Sequence, residues 1–262
     1  MSPDPRTPFL AASVIRPRLR GGLLVVGLCG AQGSGKSTLA AGLSALFKAE
    51  GVPTAILSID DLYLTKAERE EKAREVHPLF RTRGVPGTHD IPLGLAVIDA
   101  LATGSDCRLP RFDKARDERL PPSTWIEAPT GTRLLLLEGW CVGARPQPDT
   151  ALSEPVNMLE RLEDPDGIWR RTANAALAGP YRALFERLDL LILLVAPGFE
   201  VVRRWRTEQE HRLRETRGGG MSDAAIGRFV LHYERLTRHI LADMPAYADL
   251  TIPLDEDRSL SI

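Results

Sequence analysis

Five short, mostly apolar runs punctuate the chain: Leu23–Cys29, Thr54–Ile59, Arg133–Leu137, Leu190–Ala196 and Leu250–Leu254. Each is near-continuous rather than alternating, the pattern of a parallel strand covered on both faces. Between them, helical patterns extend over Lys36–Glu50, Pro92–Thr103, Trp169–Leu188, Phe199–Arg217 and Ser222–Asp243. Thr65–Arg74 is charged along its length and reads as a solvated helix, with Glu68 and Lys72 paired at i,i+4. Asp90 is placed to cap the helix that carries Pro92 in its first turn, and Ser222 to cap the last one. Strands alternating with helices, at crossover lengths above a dozen residues, predict an α/β fold with a doubly wound five-stranded parallel sheet. Residues 76–91 and 105–132, rich in Pro, Gly, Arg and Asp, interrupt the alternation and read as functional loops or lids. Residues 1–20 read as a flexible N-terminal arm and 21–262 as one domain with no internal repeat.

Composition narrows the function classes. The chain has 262 residues, room for one large α/β domain, and 34 basic against 35 acidic side chains give a net charge of −1. That balance speaks against a surface built to grip nucleic acid. The longest apolar run, Leu190–Ala196, is far short of the roughly 20 residues a membrane span needs. Cys29, Cys107 and Cys141 form no CxxC pair and read as buried small hydrophobes in a reducing, cytoplasmic setting. The N-terminus lacks the apolar core of a secretory signal. The expected state is a monomer or homodimer. Positive charge is supplied mostly as arginine, so the few lysines, among them Lys36, Lys72 and Lys114, point to specific needs.

The sharpest chemical signal is Gly30-Ala31-Gln32-Gly33-Ser34-Gly35-Lys36-Ser37, which fits GxxxxGK[ST] in full. It lies between the apolar run LLVVGLC and the helical run STLAAGLSALF, so strand, glycine loop and helix come in the order a phosphate cradle needs. Glycines let backbone N–H groups converge on phosphate oxygens, and the helix N-terminus adds its positive dipole end. Lys36 can reach the β- and γ-phosphates, and Ser37 can ligate Mg²⁺. The candidate nucleotide-binding set is Gly30, Ala31, Gln32, Gly33, Ser34, Gly35, Lys36, Ser37 and Thr38, with ATP and Mg²⁺ as cofactors.

Three carboxylates accompany this loop. Asp60 and Asp61 close the second strand run, where ligands of parallel sheets collect. There a carboxylate can accept a proton from an attacking hydroxyl, or serve only to cap the next helix. Glu138 closes the third run and suits a Mg²⁺-holding role. Val201–Met221 carries Arg203, Arg204, Arg206, Arg212, Arg214 and Arg217. A lid over about 200–221 would stabilise phosphate charge and exclude water, whereas pairs such as Glu210–Arg214 would make the same stretch an ordinary surface helix.

The runs SIDDLYLT (58–65), RGVPGTHD (83–90), LPRFDKARDERLPPSTW (109–125) and LLLLEGW (134–140), with RWR (204–206) and GMSD (220–223), resemble D-glycerate 3-kinases of the plant and fungal type. Those enzymes lie in the phosphoribulokinase/uridine kinase branch of P-loop kinases. The similarity is collinear from about residue 23 to the C-terminus, apart from a longer segment near 141–170. It implies strand order 2-3-1-4-5 and ATP-dependent phosphorylation of a small hydroxy acid, D-glycerate to 3-phosphoglycerate. It also implies Asp60 as base, with Lys36, Arg204, Arg206 and Arg214 in catalysis. Asp61, Tyr63, Arg83, His89, Asp90, Asp113, Lys114 and Arg119 are implied for the acceptor, and Ser37 and Glu138 for the metal. Phe112 stands where plant sequences usually have Tyr. The rival readings are a kinase acting on a nucleoside, pantothenate or a sugar phosphate, and a nucleotide-dependent switch or assembly ATPase. The latter is opposed by the lack of NKxD, LSGGQ-like and hhhhDE motifs.

Overall fold

The computed structural model describes residues 4–217 and 221–261, without the side chains of residues 212–217. Its centre is an all-parallel sheet of β1 (Leu24–Gly30), β2 (Thr54–Ser58), β3 (Leu134–Gly139), β4 (Leu190–Val195) and β5 (Leu250–Pro253), in the order β2-β3-β1-β4-β5. This is the order 2-3-1-4-5. Alternate residues of each strand feed opposite layers. Val25, Leu57, Leu135, Leu137 and Leu193 pack into one core, and Val26, Leu28, Leu136, Ile192 and Leu194 into the other. Both faces are therefore apolar, which is why the strands read as continuous hydrophobic runs.

The helices are α1 (Thr7–Ile15), α2 (Lys36–Ala49), α3 (Lys66–Glu75), α4 (Ile91–Ala102), α5 (Met158–Glu163), α6 (Ile168–Ala176), α7 (Arg182–Phe185), α8 (Phe199–Arg217) and α9 (Asp223–Asp243). Asp90 and Ser222 cap α4 and α9 through their side chains, as their positions predict.

Three expectations need correction. The N-terminal arm is not loose over residues 7–15. It folds as α1, whose Ala11, Ala12 and Ile15 are fully buried in the same core layer as α2. The helix expected over Trp169–Leu188 is broken, because Gly179 leaves helical geometry and Pro180 follows it. Proline supplies no N–H and disfavours helical backbone at the residue before it. Finally, α3 is not simply a solvated helix. Glu68 closes a capping box with Thr65 instead of pairing with Lys72. Arg69 is 2% exposed, and Lys72 donates to the Gly87 carbonyl at 2.8 Å. Lys66, Ala67, Glu68, Glu71, Arg74 and Glu75 are exposed as expected, but the side that carries Arg69, Lys72 and Ala73 turns inward and holds the loops over the sheet's carboxyl end.

Candidate active site

The site forms where β2, β3 and β1 end side by side, with Ser58 and Leu28 both in register with Glu138. Past β1 the chain turns through residues 30–35 into α2. Gly33 and Gly35 sit at φ +77° and +92°, backbone that side chains resist. A Cβ on Gly33 would also stand 2.7 Å from Trp205 Cβ, so the loop lies directly on α8. Within the loop, Gln32 Nε2 and Ser34 Oγ are buried without a protein hydrogen-bond partner. Lys36 opens α2 and acts electrostatically on Asp60. Thr38 lies in the first turn of the same helix.

Ser37 Oγ donates to Glu138 Oε1 at 3.0 Å. Glu138 is buried, and its Oε2 has no protein partner. A buried, half-satisfied carboxylate beside a hydroxyl is a donor set suited to a hard divalent cation, and these two residues fit Mg²⁺. Among the described residues there is no cluster of three or more His, Cys, Asp or Glu able to cage a metal alone.

Asp60 lies just past β2. Its Oδ2 accepts from Lys114 Nζ at 2.6 Å, and its Oδ1 accepts from Tyr63 Oη at 2.7 Å. Burial alone would raise this carboxyl. The Lys114 and Lys36 ammonium groups outweigh it and, with both hydrogen bonds, hold Asp60 well below the usual carboxylate range. The same pairing raises Lys114. Tyr63 stacks on His89 with ring centroids 4.5 Å apart. His89 Nδ1 shares a hydrogen with the Tyr181 hydroxyl, while its Nε2 is buried without a partner. Burial pushes His89 down to about 4, so the ring is neutral near pH 7. The Tyr63–His89 stack thus brings the Asp60 carboxylate, the Lys114 ammonium, the Tyr63 and Tyr181 hydroxyls and an unpartnered ring nitrogen of His89 close together past the end of β2.

The other acceptor-loop candidates hold that arrangement in place. Asp61 accepts from Arg111 Nη1 at 2.6 Å and from the Phe112 N–H at 3.0 Å. Arg119 spends Nε and Nη2 on the Tyr63 carbonyl and pairs through Nη1 with Asp90 at 3.0 Å. Asp90 is also the α4 cap. Asp113 accepts from the N–H groups of Ala115 and Arg116 and shapes the turn that presents Lys114. Arg83 pairs with Asp117, which also binds Arg69 at 2.9 Å. Gly84, at φ +134°, lies against the Tyr233 hydroxyl, where a Cβ would stand 1.9 Å away.

On α8, Arg204 pairs with Glu256 at 3.0 Å, and Arg206 pairs with Glu210 and lies over the Phe229 ring. The Arg214 side chain falls outside the described residues. The buried Trp205 between the two arginines donates its indole N–H to the Glu256 carbonyl at 2.7 Å. Sequence reasoning gave no site role to the side chains of Arg69, Arg111, Asp117, Tyr181 or Arg258. Of these, Tyr181 carries a signal in its position, since it lies just beyond the longer segment near 141–170, within the stretch that resembles the family.

Comparison with known proteins follows the same lines. The pattern of the Phosphoribulokinase / Uridine kinase family matches residues 25–145. The uncharacterized kinase mug58 of Schizosaccharomyces pombe is 36% identical over 229 residues, covering 83% of this chain and 81% of that protein. The chain belongs to the phosphoribulokinase/uridine kinase family. This kinase is also 31% identical over 255 residues to the chloroplastic D-glycerate 3-kinase of Arabidopsis thaliana, across 90% of its own length. It spans about half (53%) of the plant protein. The solved D-glycerate 3-kinase of Cryptococcus neoformans shares its fold, with a TM-score of 0.79 at 24% identity over 98% of this chain and 96% of the other. Membership of this family makes it an ATP-dependent small-molecule kinase. No helix among its described residues is long and apolar enough to cross a membrane.

Proposed function

We propose that the kinase transfers the γ-phosphoryl group of ATP to a hydroxyl of a small hydroxy acid, D-glycerate, giving 3-phosphoglycerate. The observation that carries this reading is the Asp60 carboxylate, set between Lys114 Nζ (2.6 Å) and Tyr63 Oη (2.7 Å). It sits at the end of the strand whose last residue is in register with Glu138. Two of the relatives are D-glycerate 3-kinases, which supports the acceptor class.

In this reading the amides of residues 30–38 and the Lys36 ammonium bind the triphosphate. Ser37 and Glu138 hold Mg²⁺, which when bound neutralises phosphate charge. Asp60 accepts the proton of the attacking hydroxyl. An ion-paired carboxylate with a low pKa is a weak base, so the pair with Lys114 has to loosen when the acceptor enters. A hydroxy acid does this by offering its own carboxylate to Lys114. Asp60 then loses a cation and gains basicity beside the hydroxyl. His89, neutral and with Nε2 unpartnered, supplies one more polar contact for a hydroxyl. Arg204 and Arg206 exchange their partners Glu256 and Glu210 for phosphate oxygens on closure of the lid expected over about 200–221, of which residues 218–220 lie outside the described residues. Because phosphoryl transfer asks mainly for positioning and charge stabilisation, these few groups suffice.

The test is kcat/KM with Mg·ATP across D-glycerate, glycerol, pantothenate, uridine and a pentose phosphate. D-glycerate exceeding glycerol by at least a hundredfold supports the carboxylate–Lys114 exchange. A nucleoside, pantothenate or sugar phosphate as the best acceptor overturns the substrate while leaving the kinase assignment intact.

A further inference from the structure

Arg258 lies in the C-terminal turn, more than two hundred residues from the nucleotide loop in sequence, and touches it directly. Its Nε donates to the Gly33 carbonyl at 2.7 Å, and its Nη2 donates to Glu208 on α8 at 2.8 Å. Its guanidinium carbon sits 5.0 Å from the centroid of the Trp205 ring. The turn itself is fastened to the same helix, since both the Trp205 indole N–H and Arg204 bond to the Glu256 carbonyl. The Arg258 side chain is only 9% exposed.

The backbone strengthens the case. Arg258 N–H closes a four-residue turn on the Asp255 carbonyl at 2.9 Å, and Leu254 and Leu260 pair across the turn's base. Arg258 holds φ +73°, the left-handed conformation that such a turn assigns to glycine. A bulky side chain kept at a position where glycine would relieve strain points to a role for the side chain. Its bond to the Gly33 carbonyl fixes the plane of the Gly33–Ser34 peptide. In a trans peptide the N–H points away from the carbonyl, so Arg258 also sets the direction of the Ser34 N–H. That N–H donates to the Ala31 carbonyl at 3.1 Å, so Arg258 braces the turn that shapes residues 30–37.

We propose that Arg258 is a positioning residue that couples the nucleotide loop to the lid helix, so that phosphate bound at residues 30–37 alters the stability of α8 through Gly33, Arg258 and Glu208. This rests on the reading that the nucleotide occupies that loop. One charged fork bonds both elements at once, which is the contiguous physical link that coupling requires.

The test uses full-length Arg258→Gly, which suits the turn's backbone and removes only the side chain. Glu208→Gln weakens the lid half and leaves the turn intact, and Arg258→Lys keeps the charge without the fork. ATP affinity is measured by calorimetry, and amide exchange of the peptide spanning 199–217 is followed with and without ATP. The expected result is that ATP protects this peptide in the wild type and leaves it unprotected in Arg258→Gly and Glu208→Gln. Kd should rise about tenfold in Arg258→Gly and by less in Arg258→Lys. Equal protection and equal Kd in Arg258→Gly, or in Glu208→Gln if the glycine variant does not fold, overturn the proposal. If the wild type and Lys36→Ala bind ATP equally, the loop reading itself fails, and that outcome is distinct.

Discussion

Replacing Asp60 by Asn removes one oxygen's charge and little volume, so it separates chemistry from folding. In the wild type the two carboxylate oxygens accept from Lys114 Nζ at 2.6 Å and Tyr63 Oη at 2.7 Å. Asparagine retains one acceptor oxygen and turns an NH₂ group toward the other donor. The lost charge-assisted bond would be worth roughly 1.5–3 kcal/mol if buried. The Lys114 side chain is 59% exposed, so solvent recovers most of this and the stability loss is about 1 kcal/mol. For a chain of this size that lowers Tm by about 2–4 °C. A positioned base, in contrast, contributes about 10²–10⁴ in rate, or roughly 3–5 kcal/mol of barrier. The predicted outcome is a single-turnover rate down by about a thousandfold. ATP affinity by calorimetry should be unchanged or slightly tighter, because a negative charge near Lys36 has gone. A rate within tenfold of wild type refutes Asp60 as the base. Equal losses of rate and ATP binding would place it in the nucleotide site instead.

Two further predictions concern the fold. His89 and His232 are both buried and held at about 4, His89 by burial alone and His232 by burial and Arg228. Each binds a proton in the unfolded state near pH 6.5 but in the folded state only near pH 4, so stability falls as pH drops through that window. Thermal melts from pH 7 to 4 should show a Tm that declines with up to two protons taken up on unfolding, and His232→Gln should flatten the slope; a flat wild-type curve contradicts the burial argument. Ile15→Ala, in α1, should cost about 2–4 kcal/mol by leaving a cavity against the α2 layer. An unchanged melt would mean that the N-terminal segment does not dock.

Much of this architecture is local and could be read from residues. The five strands show as apolar runs because both faces of the sheet are covered, and the helix caps at Asp90 and Ser222 show because a single side chain decides them. The phosphate loop is contiguous, so its motif needs no tertiary information. The order of the sheet came with the family resemblance, since crossover lengths alone permit several orders. What stayed hidden depends on distant partners. Nothing near Arg69 in a run of charges shows that Asp117 and the Leu64 and Arg81 carbonyls will bury it. Arg119 and Asp90 look like free acceptor contacts until the fold brings them together across Tyr63. Helix α1 was obscured by flanking Pro and Arg, although Ala11, Ala12 and Ile15 carry the spacing that docks it. The break at Gly179–Pro180 was legible in the proline and was overridden by apolar spacing that continues on both sides.

The most direct measurement is a crystal structure of the kinase with Mg²⁺, a non-hydrolysable ATP analogue and D-glycerate. In that crystal the triphosphate should lie against the amides of residues 30–37, the glycerate carboxylate on Lys114, and the acceptor hydroxyl within hydrogen-bond distance of Asp60 and in line with the γ-phosphorus. An acceptor bound elsewhere, with the Asp60–Lys114 pair still closed beside a fully bound nucleotide, would contradict this arrangement.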